Sequence, residues 1–118
     1  MVSVWGLTDR GIVRRENQDS CAYEIIEDGD LAWGVVCDGM GGAKSGNVAS
    51  SLALQIFMQE LTRLRKPGMS QEQAGQMFRE AVRLANFTVY DQSRQFEDFE
   101  GMGTTLVAAY VDHQMAVI

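Results

Sequence analysis

The chain has 118 residues, enough for one domain with a real core and too few for two. Hydrophobic residues make up 46% and charged residues 22%, the balance of an ordinary soluble globular protein. A net charge of −6 with no lysine or arginine block argues against nucleic acid or an anionic membrane as the main partner. It suits simple solubility or the gathering of divalent cations.

Val2, Val4 and Leu7 predict a short strand that stops near Thr8-Asp9-Arg10-Gly11. Ser20 to Ile26 reads as a second strand, closed by the turn Glu27-Asp28-Gly29-Asp30, and Leu31 to Asp38 as its antiparallel partner. Within the latter, Leu31 to Cys37 is apolar throughout and reads as covered on both faces. From about Ser45 the period changes to that of a helix. Val48, Leu52 and Ile56 share a stripe with Ala49, Ala53 and Phe57, extended by Glu60, Leu61 and Leu64. Arg63, Arg65 and Lys66 suit the C-terminal dipole, and Pro67-Gly68 stops the helix.

Ser70 with Gln73 three residues on is a capping box, opening a second helix that runs to about Phe96. Its apolar side carries Ala74, Met77, Phe78, Ala81, Val82, Ala85 and Val89. Two long helices across a short Pro-Gly break predict an antiparallel hairpin lying on a sheet. Glu97 to Gly103 reads as an acidic loop, Thr104 to Val111 as a strand, and Gln114 to Ile118 as the start of another. The end Met115-Ala116-Val117-Ile118 is apolar to its last residue, the pattern of a truncated domain or of an edge completed by another chain. Cys21 and Cys37 lie in apolar runs and read as buried free thiols of a reducing compartment. No run has the length of a membrane span and the first residues lack a signal-peptide layout, so a cytoplasmic location is the expectation.

The chemistry concentrates in Val35 to Gly46, where Asp38 emerges at the end of a strand and three of the next four residues are glycine. Glycine permits φ > 0 and a close approach of backbone to ligand. A phosphate-loop reading of this strand, turn and helix fails on spacing, because Ala43 precedes Lys44-Ser45 where glycine is required and Asp38 takes the first glycine's place. A dinucleotide fingerprint fails because Lys44 stands where the third glycine belongs. A hard divalent metal, Mg²⁺ or Mn²⁺, remains. Asp38 could bridge two ions, the Gly39 carbonyl could turn toward one, and Asp19 would lie beside Asp38 if the two strands pair as expected. Equally, Asp38 could cap the following helix while Asp19 bonds nearby amides; the turn alone leaves both open.

Gly6 to Ser20 (GLTDRGIVRRENQDS), Val35 to Ser50 (VVCDGMGGAKSGNVAS) and Gly101 to Ala109 (GMGTTLVAA) come in that order at suitable intervals. Together they resemble the N-terminal half of the metal-dependent protein phosphatases of the 2C class, in their bacterial form. The resemblance implies that Asp38 bridges two metal ions, that the Gly39 carbonyl ligates one, and that Asp19 orders metal-bound water. It gives Arg14 the grip on the substrate phosphate, a task for a planar, permanently charged fork. Thr104 and Thr105 match a structural motif packed under the site. In this class the metals acidify a bridging water that attacks phosphorus in line, and the substrates are phosphoserine and phosphothreonine proteins. Many relatives carry a histidine where Met40 stands, so leaving-group protonation would fall to water; His113, in a turn, reads as solvated.

The implied fold is α+β, half of an α-β-β-α sandwich, an antiparallel sheet with a two-helix hairpin packed on one face. All of residues 1–118 fall in this one phosphatase 2C-like domain. Family members run to roughly twice this length, and the remaining half supplies further aspartates to the metal shell. A sheet left with one apolar face uncovered predicts a homodimer that buries it. Two functions stay open: a Mn²⁺- or Mg²⁺-dependent phosphatase, and a catalytically impaired half-domain acting as a dimeric binding or assembly module.

Overall fold

A computed structural model describes residues 19–26, 31–42, 45–112 and 115–118. The strand expected near Val2, the turn at Glu27 to Asp30, Arg14, Lys44 and His113 lie outside these residues. In chain order the elements are β1 (Asp19–Ile26), β2 (Leu31–Met40), α1 (Ser45–Leu64) and α2 (Gln71–Gln95). A short 3₁₀ turn (Glu97–Phe99), β3 (Gly103–Thr104), β4 (Val107–Asp112) and β5 (Ala116–Val117) follow. Among the described residues the sheet runs β1-β2-β4-β5, with β3 also on β2, and the pairings are antiparallel. This is the expected α+β architecture, an antiparallel sheet carrying a helix hairpin.

The helices form where their signals lie. Ser70 Oγ accepts from the Gln73 amide at 3.2 Å while Gln73 Oε1 accepts from the Ser70 amide at 2.9 Å, so the capping box is complete. The buried stripe of α1 is Ala49, Ala53, Phe57 and Leu61, joined by Ser45, Gly46 and Ser50. Val48, Leu52 and Ile56 sit at its half-buried border. On α2 the buried side is Ala74, Met77, Phe78, Ala81, Ala85 and Val89. Val82, expected among them, is 40% exposed because it flanks that stripe.

Aromatic rings tie the layers together. Trp33 of β2 stacks on Tyr110 of β4 with centroids 6.3 Å apart. Phe78 of α2 meets Tyr110 edge-on at 6.3 Å, and Phe57 of α1 meets Phe78 edge-on at 5.4 Å. One run of rings therefore crosses from sheet to both helices, an arrangement whose pairs contribute about 0.5–1.5 kcal/mol each beyond their burial.

The expectation that Leu31 to Cys37 is covered on both faces is corrected. Leu31, Trp33, Val35 and Cys37 are buried under the helices, whereas Val36 and Met40 are each 55% exposed. Direct cross-strand partners share a face. Cys21 and Tyr23 of β1 and Val107 of β4 therefore lie on the open side with Val36 and Gly34, and Ile25 joins them opposite Ala32. Cys21 is accordingly exposed, not buried, and only Cys37 is an interior thiol. The apolar sequence on both sides of β2 reflects a sheet with one covered face and one open apolar face among the described residues.

Two boundaries also differ. β2 continues through Gly39 and Met40, so the turn begins two residues later than expected. The strand expected from Thr104 to Val111 is divided at Thr105 and Leu106 into β3 and β4.

Candidate functional site

Asp19 and Asp38 are direct partners in the β1–β2 ladder, so the two carboxylates leave the sheet side by side on its open face. The juxtaposition expected of these two residues is thus present. Neighbouring residues lock it. Ser20, pointing to the helix side, shares a hydrogen bond with Ser50 of α1 at 3.1 Å, and Ser50 is fully buried. This seats the first residues of β1 against α1 and fixes Asp19 at the strand's start. Nothing in the spacing of two serines thirty residues apart discloses such a tie; only the folded geometry does.

Asp38 is held from the other side by Thr105. The Thr105 amide donates to the Asp38 carbonyl at 2.9 Å, and the Asp38 amide donates to Thr105 Oγ1 at 3.0 Å. The reading of Asp38 as a helix cap does not hold. The strand runs on to Met40, α1 starts at Ser45, and among the described residues no hydrogen bond joins the Asp38 carboxylate to the first turn of α1.

Gly39 lies within β2, opposite Thr104, and its backbone is ordinary extended strand. The special conformation falls instead on Gly41, with φ of 150°. A side chain there would collide with Ser45 Oγ and crowd the Gly46 amide. Ser45 cannot yield, since its hydroxyl donates to the Gly42 carbonyl at 2.7 Å and its amide donates to the same oxygen at 3.1 Å. Gly41 is therefore the residue that lets the chain leave the sheet and enter α1 immediately beside the carboxylates.

Beneath the site, burial pushes the Cys37 thiol up to about 11, with a side-chain hydrogen bond between Cys37 and Thr104 acting in the opposite direction. That thiol stays protonated at neutral pH and is a core group, not a ligand or nucleophile. The donor set offered on the open face is two adjacent carboxylates, and among the described residues no cluster of three or more His, Cys, Asp or Glu side chains is present. Two like charges in direct register favour a cation between or near them. Oxygen-only donors in this number fit a hard divalent ion that keeps several waters.

The family model of protein phosphatase 2C matches residues 12–118. The chain is 32% identical over 115 residues to the serine/threonine phosphatase stp of Listeria monocytogenes, covering 94% of this chain and 43% of that protein. It is 36% identical over 104 residues to the serine/threonine protein phosphatase PstP of Mycobacterium tuberculosis, covering 86% of this chain and 18% of that protein. Among solved structures, serine/threonine phosphatase Stp1 from Staphylococcus aureus superposes with a TM-score of 0.77 at 31% identity. That match covers 91% of this chain and 41% of the other. The chain thus spans less than half the length of the relatives it matches.

Proposed function

This chain belongs to the protein phosphatase 2C family, and from that membership we propose that it is a metal-dependent phosphatase-like domain acting on phosphoserine and phosphothreonine in proteins. The observation that carries the reading is the in-register pair Asp19 and Asp38 on the open face of the sheet. These two side chains, with the Gly39 carbonyl, are the groups of this chain that would hold Mn²⁺ or Mg²⁺. A bound divalent ion would acidify water and offset charge developing on the phosphoryl oxygens. Asp38, mounted on a strand and fixed by Thr105, supplies a carboxylate that need not reorganise during the reaction. Asp19 orders water at its side. Arg14, outside the described residues, is assigned the substrate phosphate. Met40 carries no proton to give, so the leaving group would take its proton from water.

Hydrolysis of a chromogenic phosphate ester with Mn²⁺, compared between the wild-type chain and Asp38→Ala, tests this reading. Metal-dependent turnover that disappears in the variant supports the phosphatase; equal background in both overturns it. Where turnover is present, Arg14→Ala raises KM more than it lowers kcat, and a fall in kcat alone contradicts its role.

A second reading is favoured by the open apolar face, on which Val36, Met40 and Val107 are 55%, 55% and 61% exposed. Contiguous apolar surface of this kind marks an interaction site. In this reading two copies pair through that face as a homodimer, and the domain serves as a binding or assembly module with a weakened metal site. Light scattering at micromolar concentration decides it, a monodisperse monomer being the result that removes the homodimer. The acidic chain remains a poor match for nucleic acid, and among the described residues no helix is long and apolar enough to cross a membrane. The cytoplasm is the compartment proposed.

A further inference from the structure

β3 and β4 pair with β2 in one common register: Thr104 faces Gly39, Gly103 faces Met40, and Val107 faces Val36. A continuous strand in this register would place Thr105 opposite Asp38 and close that pair with two main-chain hydrogen bonds. Only one of them forms, from the Thr105 amide to the Asp38 carbonyl. The other is made by a side chain, because the Asp38 amide donates to Thr105 Oγ1 and not to the Thr105 carbonyl. That carbonyl accepts instead from Thr104 Oγ1 at 2.8 Å. The interruption between β3 and β4 is thus a local exchange, in which a hydroxyl takes the place of a carbonyl opposite the aspartate.

We propose that Thr105 is a positioning residue for Asp38: its hydroxyl and its amide together clamp both main-chain groups of Asp38 and set where the carboxylate stands relative to Asp19. Residues with no hydroxyl cannot supply the acceptor, since the carbonyl that would replace it is already turned to Thr104. Serine can supply it. This inference rests on the reading of Asp38 as a metal-holding group, and its test separates the two.

The experiment is Mn²⁺ titration of the folded chain, followed by the electron paramagnetic resonance of the free ion, for wild type, Asp38→Ala, Thr105→Val and Thr105→Ser. Thr105→Val is expected to weaken Mn²⁺ binding roughly three- to tenfold, the equivalent of one hydrogen bond, and Thr105→Ser to restore it. Wild-type binding with Thr105→Val unchanged overturns the positioning role and leaves the metal reading intact. Wild-type binding no tighter than that of Asp38→Ala overturns the metal reading, and the inference with it. Should Thr105→Val not fold, amide exchange in the wild-type chain takes its place. The Asp38 amide is expected to exchange slowly although its residue is exposed, and exchange at the rate of an unprotected amide overturns the clamp.

Discussion

Asp38 stands directly opposite Asp19 across the β1–β2 ladder, two carboxylates in one register on one face. Like charges so placed destabilise a sheet, by about 0.2–1 kcal/mol for a directly opposed pair. Asp38→Asn is therefore expected to raise stability by about that amount in the presence of a chelator, measured by urea unfolding. In Mn²⁺ the order reverses, because binding to the native state stabilises only the chain that retains the site. A variant less stable than wild type in chelator would show that the pair does not repel, and a variant that stays the more stable in Mn²⁺ would show that the pair holds no ion.

Gly41 combines φ of 150° with a neighbour that cannot move, Ser45, whose hydroxyl is committed to the Gly42 carbonyl. Gly41→Ala is expected to destabilise by about 1–3 kcal/mol, the scale for a residue forced into a sparsely populated backbone region. Gly42→Ala meets nothing within 4 Å and should stay within about 0.5 kcal/mol of wild type. Thermal melts of the two variants side by side check this, and equal losses would place the strain elsewhere.

Much of this could be read from the chain because local signals and tertiary packing agree. Ser70 with Gln73 announces the start of α2, and Pro67-Gly68 ends the preceding helix, both through backbone chemistry that needs no distant partner. The partnership of Asp19 with Asp38 follows from two apolar runs joined by a short acidic turn. Less local features stayed hidden. The apolar run Leu31 to Cys37 cannot say whether one or two layers cover it, since composition is the same in both cases. Cys21 looked buried for that reason, and the structure places it on the open face opposite Val36. The break at Thr105 was equally invisible, because β-branched residues favour a strand and only the exchanged hydrogen bond interrupts it.

The two thiols should differ sharply in reactivity. Cys21 is exposed and Cys37 fully buried, so a thiol reagent is expected to modify one cysteine in the native chain and two in denaturant. Burial also raises the Cys37 pKa from 9.0 to about 11, which means that folding favours the protonated thiol. Its contribution to stability is complete below pH 9 and is lost as pH rises through 11, at about 1.4 kcal/mol for each unit of difference. Since tyrosine and lysine titrate in the same range, the comparison is with Cys37→Ala, whose stability should fall less steeply over that window. Identical slopes would mean that the thiol ionises as easily folded as unfolded.

Ser50 offers a way to disturb the carboxylate pair without touching it. Its hydroxyl is buried, bonded to Ser20 at 3.1 Å and to the Asn47 carbonyl at 3.3 Å, and Ser20 adjoins Asp19. Ser50→Ala leaves the methylene in place, so little packing is lost, but it removes the tie that seats β1 on α1. The expected destabilisation is about 1 kcal/mol, that of a net hydrogen bond. Ser51, 3.5 Å from Ser20, is the nearest replacement partner, and engaging it would draw the start of β1 along the helix. Because that shift moves Asp19 and not Asp38, Mn²⁺ affinity should fall further than the loss of stability alone explains. Titrating the variant well below its melting temperature separates the two effects, and unchanged affinity there would show that Asp19 keeps its place without the serine pair.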